Sequence, residues 1–319
     1  SDGVVTLTQK LVGTELDISG NIDVNGTTNL DVVDVDGAAN FAADITIATG
    51  ADLLTASAGD DNVRIGLDAG DSIASGGNRN IVIGRNAGTA ITTADSNVAI
   101  GWEALKTEDA HGNNTAIGTS ALATQNAGAD GYNVGIGYNA GTAVTTGINN
   151  TLIGGLAGDA ITTGAQNTAV GRSALSAHTT AANCVAVGYA SLLNNTTGAS
   201  NIAVGPNSIA TNTTGAENIA MGDSALNKNT TGSNNTAIGS VALYANTTAS
   251  NNTAVGKDAL VANTTGTENN AFGVGALDSN TTGDENNAVG RGALGANTTA
   301  DGNNAFGDDA LSLNVTGTG

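Results

Sequence analysis

From Asn62 onward, apolar and polar positions follow one phrase that recurs about fifteen times, and from Gly137 the step between copies is an unbroken 17 residues. One copy, Asn235 to Asn251, reads NTAIGSVALYANTTASN. The glycine of each phrase serves as a marker: Gly66, Gly84, Gly101, Gly118, Gly137, Gly154, Gly171, Gly188, Gly205, Gly222, Gly239, Gly256, Gly273, Gly290 and Gly307. So short a period over so many copies is the signature of a solenoid whose coils stack along one axis. The residue before the marker is apolar in every copy, from Ile65, Ile83 and Ile100 to Phe272, Val289 and Phe306, which predicts a column facing the interior. Alternation along a strand then turns the preceding column, Ala99, Ala116, Ala169, Ala186, Ala203, Ala220, Ala237 and Ala254, to the opposite side. Side chains this small predict close packing against a partner chain. Each coil is expected to hold two short strands, roughly Asn-Thr-Ala-Ile-Gly and the Ala-Leu segment, paired with the next coil rather than with each other. Glycine and β-branched content disfavours helix.

Other columns sharpen this picture. Four before the marker stands asparagine in fourteen of fifteen copies: Asn62, Asn80, Asn97, Asn114, Asn133, Asn150, Asn167, Asn201, Asn218, Asn235, Asn252, Asn269, Asn286 and Asn303, with Cys184 as the exception. Stacked identical asparagines can pass amide hydrogen bonds from coil to coil, so the column reads as a structural ladder. Three after the marker comes alanine, with Ser191 and Ser208 standing in, and then usually leucine. In several early copies a glycine replaces that leucine, as in Ala87-Gly88 and Ala157-Gly158, and an apolar residue follows three places on, as at Ile91, Val144 and Ile161. These read as two ways of filling one core position. Asn-Thr-Thr-Gly at Asn195, Asn212, Asn229 and Asn280 has the composition of a bend. Directly after the marker, residue type drifts from leucine and arginine through Trp102, Tyr138, Tyr189 and the sole proline, Pro206. That drift predicts exposure, and Trp102, Tyr138 and Tyr189 beside polar neighbours are candidate contacts for a cell-surface glycan.

Upstream, Val5, Leu7, Leu16, Ile18, Ile22 and Val24 alternate with polar residues, broken by turn signals at Asn25-Gly26 and Asp36-Gly37. We expect a β stem over residues 1–58 and the repetitive roll over 59–319. The whole is all-β: a parallel β-roll or solenoid of about fifteen 17-residue coils.

Composition narrows the function. Only 3% of the chain is aromatic and 46 residues are glycine, so a thick core is beyond it, and coils so poor in large apolar side chains are expected to shelter one another as a homo-oligomer. With 29 acidic against 9 basic residues the net charge is −20, which repels nucleic acid and anionic membranes. No run is long and apolar enough for membrane insertion, and one cysteine excludes an internal disulfide framework. Asp34-Val35-Asp36-Gly37 lacks the further oxygen ligands and the spaced glutamate of a calcium loop. Gly135-Ile136-Gly137 and Gly154-Gly155 precede no helix, so they are marker glycines rather than a nucleotide loop. His111 and His178 fall in bends with no serine or cysteine in register, which leaves a nucleophilic triad unsupported. The Ile-Gly-x-x-Ala-Leu phrase of hexapeptide acyltransferases occurs once per coil where that fold needs three. A row of Asn-Thr-Thr hydroxyls is too interleaved for an ice-binding face. No catalytic, cofactor-binding or metal-ligating residue is expected.

NTAIG, NTAVG, NVAIG and the spacer ALxxNTTG resemble the head repeats of trimeric autotransporter adhesins, and more closely the NTTG-type repeats of phage and bacterial tail-fibre proteins, over about residues 61 to 319. The resemblance implies a trimeric, left-handed parallel β-roll used for attachment, sited on a virion tail fibre or an extracellular surface. The coil is longer than the usual adhesin repeat and no C-terminal anchor pattern follows it. The expectation is therefore a non-enzymatic phage tail-fibre segment, a homotrimer that extends toward a host surface glycan. A bacterial surface adhesin and a passive filament without receptor are the alternatives.

Overall fold

The computed structural model describes residues 58–317. The expected stem up to residue 57, with the Asp34–Gly37 turn, lies outside the described residues. Within them there is no α-helix. Fifteen strands of three residues each, from β1 (Val63–Ile65) and β2 (Ile81–Ile83) to β15 (Asn304–Phe306), form one sheet in strict sequence order, every pair parallel. Register is constant: position for position, each strand lies on the same three residues of its neighbour, as in Thr236↔Thr253, Ala237↔Ala254 and Ile238↔Val255. The result is an all-β parallel solenoid, one strand per coil.

Short side chains and backbone sterics make each coil. A β-branched residue or asparagine opens most strands and an apolar residue closes them, which suits extended backbone. The marker glycine ends each strand with φ between 125° and 143°, a region closed to other residues. Coils also touch there. A Cβ built on Gly222 would lie 2.6 Å from the carbonyl carbon and oxygen of Gly239 one coil on, so stacking at this corner is backbone on backbone. The alanine three residues later closes the turn, its amide donating to the marker's carbonyl, as from Ala174 to Gly171 O at 3.3 Å.

The Ala-Leu segment is not the second strand expected of it. Its leucines hold left-handed backbone, φ 49° at Leu105, 53° at Leu175 and 51° at Leu243, and their amides donate to the next coil, from Leu226 to Ala242 O at 2.9 Å. Inter-coil hydrogen bonding survives without β dihedrals because the bonds of the flanking turns over-determine a conformation that a lone leucine avoids.

The core is one line of side chains along the axis. Leu105, Leu122, Leu175, Leu192, Leu226, Leu243, Leu260 and Leu277 are fully buried, as are Ile91, Val144 and Ile161. The substitution of glycine for leucine is a volume exchange. A Cβ on Gly158 would lie 2.7 Å from Ile161 Cδ1 and 2.8 Å from Leu152 Cδ2, so isoleucine and a large mid-strand residue occupy the space leucine fills elsewhere. Length varies only in the bends. Gly118 to Gly137 spans 19 residues, with two extra between Gln125 and Asn133, yet Thr115 still pairs with Val134.

Candidate functional site

From β2 to β15 the middle residue of each strand is buried and its two neighbours are half-buried or exposed. Ala99, Ala116, Ala169, Ala186, Ala203, Ala220, Ala237 and Ala254 are fully buried inside the coil, which corrects the expectation that they line a partner's face. The column before the marker is the outward one: Ile65, Ile153, Met221, Ile238 and Val289 are 36–49% exposed and Phe306 is 74% exposed. The leucine column sets this choice. It reaches so close to the sheet that a Cβ on Gly135 would lie 2.7 Å from Leu122 Cγ, leaving room mid-strand for alanine in most coils and for nothing bulkier beside a leucine.

The outer face of the sheet is therefore a stripe of isoleucine, valine, threonine, methionine and phenylalanine. No strand residue from β2 to β15 is charged, although the chain carries −20. At about 4.8 Å per coil the stripe runs roughly 70 Å. In the last three coils its outer edge turns to asparagine: Asn270 Nδ2 donates to Asn287 Oδ1 at 2.9 Å, and Asn287 Nδ2 to Asn304 Oδ1 at 3.0 Å.

The drifting column is exposed, with Trp102, Tyr138 and Tyr189 about half accessible. All three stand in one row, Tyr138 two coils from Trp102 and Tyr189 three coils beyond, or roughly 10 and 14 Å at strand spacing. The Arg172 guanidinium sits 5.9 Å from the Tyr189 ring centroid, within cation–π range. The row does not close into a pocket. Surface depressions of about 500 and 350 Å³ are lined instead by Asp278, Arg291 and Asp309, and by Asp68, Asp71 and Lys106.

Inside, the asparagines form the ladder directly. Asn62, Asn80, Asn97, Asn114, Asn133, Asn150, Asn167, Asn201, Asn218, Asn235, Asn252, Asn269, Asn286 and Asn303 are all buried. Typically Oδ1 accepts the backbone amide of the next rung, as from Asn235 N at 3.0 Å, and Nδ2 donates across the coil, as from Asn218 to Gly232 O at 2.9 Å. A second ladder, which the bend-like Asn-Thr-Thr-Gly composition concealed, runs beside it. Asn212 Nδ2 donates to Asn195 Oδ1, Asn229 to Asn212, Asn246 to Asn229 and so on to Asn297, at 2.6–3.2 Å. The first threonine of each bend adds a third row, Thr213 Oγ1 donating to Thr230 O at 3.0 Å. That row's hydroxyls are engaged within the solenoid rather than offered to solvent.

The second ladder is replaced at early coils by His178, Gln125 and Glu108. Cys184 and His178, which spacing keeps apart, meet there through Asn195: its Nδ2 lies 2.9 Å from His178 Nδ1 and 4.0 Å from Cys184 Sγ. This corrects the reading of the histidine as lacking a cysteine neighbour, but the trio is not a nucleophilic site. His178 Nε2 is held by Ala181 O at 2.9 Å and Cys184 Sγ donates to Gly198 O at 3.4 Å. Burial raises the thiol's pKa and lowers the imidazole's, which keeps both neutral, away from solvent. Glu108 is the buried acid of this column, its pKa raised by desolvation against the opposing influence of the His111 amide. No protein-family model matches the chain, and no curated protein matches it.

Proposed function

We propose that this chain is a structural and adhesive segment of a phage tail fibre, non-enzymatic, assembled as a homotrimer, and extending toward a host cell surface that it contacts through Trp102, Tyr138 and Tyr189. One observation carries the reading: an uncharged, largely apolar stripe runs unbroken from β2 to β15 on a chain whose net charge is −20. Stable monomers rarely leave so long an apolar strip in water. Identical copies set around an axis parallel to the stack would bury it, since each offers the same outward strand positions at every level. The repeat phrase NTAIG…ALxxNTTG and its likeness to tail-fibre repeats support the trimer and the attachment role. The solenoid is compatible with a fibre, its stacked coils tied by an asparagine ladder broken at a single rung, Cys184.

Solution mass from light scattering tests the assembly: three times 30.9 kDa is expected, and a monodisperse monomer ends the reading. Binding to a glycan array tests the adhesive part. Trp102→Ala combined with Tyr138→Ala should abolish the signal; undiminished binding would remove the aromatic row from the site.

A further inference from the structure

In the later coils the second ladder opens its bend with Asn-Thr-Thr-Gly, as at Asn195–Gly198 and Asn212–Gly215. In the third coil the same four places hold Glu108, Asp109, Ala110 and His111. Two carboxylates and an imidazole thus stand where an amide, a hydroxyl and a glycine stand elsewhere. Glu108 is fully buried. Its Oε1 accepts the His111 amide at 3.2 Å. Its Oε2 has no hydrogen-bond partner, the Ala127 amide of the next coil polarising the carboxyl without reaching hydrogen-bond geometry. His111 Nδ1 is likewise buried and without partner, 3.6 Å from Glu108 Oε1. The ligating atoms of Glu108, Asp109 and His111 all lie within 4.8 Å of one another, and the neighbouring Lys106 is paired with Glu103 at 2.6 Å.

We propose that Glu108, Asp109 and His111 Nδ1 bind one divalent first-row transition ion, zinc foremost. A tetrahedral zinc with bonds of about 2.0–2.2 Å holds its ligand atoms roughly 3.4 Å apart. The imidazole nitrogen and the Glu108 oxygen, 3.6 Å apart, already stand near that separation, and a carboxylate oxygen of the partly exposed Asp109 lies within 4.8 Å of both. A nitrogen ligand selects against calcium and magnesium, which prefer all-oxygen sites. The ion would stand in for the hydrogen bonds that an asparagine rung supplies in other coils, and would neutralise a carboxylate that its surroundings leave uncompensated. Ala110, in the same bend, is exposed, and a water would complete the coordination.

The repeats supply their own controls, because Glu108→Asn and His111→Gly each restore the residue of the later coils. Full-length untagged chain, stripped with chelator and titrated with zinc chloride by calorimetry, is expected to bind one equivalent. Either substitution should weaken that binding at least about tenfold to a hundredfold, while unfolding temperatures in chelator match or exceed the parent chain's. Cobalt(II) should give the visible absorption of a tetrahedral ion in the parent chain and lose it in His111→Gly, whereas magnesium and calcium at equal concentration should not displace zinc. A parent chain that takes up no zinc overturns the proposal, making Glu108 and Gln125 an ordinary rung closed by the Gln125 amide. So does zinc binding that survives both substitutions unchanged, which would put the ion among surface acids.

Discussion

Cys184 is the rung at which the inner ladder is interrupted. Its backbone amide still donates to Asn167 Oδ1 at 3.0 Å and its thiol takes over the donor role toward Gly198 O, but sulfur replaces the amide oxygen that the next rung, Asn201, would otherwise meet. Cys184→Asn restores two buried hydrogen bonds worth about 1 kcal/mol each. A gain of about 1–2 kcal/mol in denaturant unfolding is therefore expected. His178 makes a different prediction. Its pKa is lowered from an ordinary 6.5 by burial, so in the window between the two values the unfolded chain binds the extra proton. Stability is complete above about pH 6.5 and falls as pH drops through that value, by at most about 1.4 kcal/mol per pH unit. His178→Asn keeps an acceptor for Asn195 and removes the titration. Unfolding curves of the two proteins should run together at pH 8 and part below pH 6.5.

At the scale of the coil, the strand, the leucine column and the second ladder share one volume. Gly158→Leu alone forces a side chain against Ile161 and Leu152 and should destabilise by about 2–3 kcal/mol. Adding Leu152→Ala and Ile161→Asn, which rewrites the coil in the majority pattern, should recover most of that loss. The non-additivity is read from a mutant cycle. This exchange was legible in the sequence, because Gly88 and Ile91 vary together while their neighbours hold still. Which side of the strand faces in was not legible: isoleucine and alanine columns are both apolar, alternation separates them without assigning a side, and the decision belongs to the leucines packed from across the coil. The second ladder escaped because asparagine, threonine and glycine are also what a solvent-facing turn is made of. Left-handed leucines leave no trace in residue type. Glu108, Asp109 and His111 would have stood out had the bends been aligned column by column as the strands were.

For the whole molecule, the outward stripe is where the proposed trimer is tested. Val204 lies in β9 (Ile202–Val204), near mid-length, and is half-buried in the isolated chain. Val204→Glu would set three like charges at one level of a trimer, so light scattering should report the single-chain mass with far-ultraviolet dichroism unchanged. Lys257→Glu in the drifting column should leave the assembled mass as it was. The two residues inserted between Gln125 and Asn133 carry a broader lesson. They leave the pairing of Thr115 with Val134 untouched, which means that axial pitch and lateral outline are set by separate parts of the coil. A rod made this way can sprout branches from its flank, one level at a time, without changing its length or losing count of its steps.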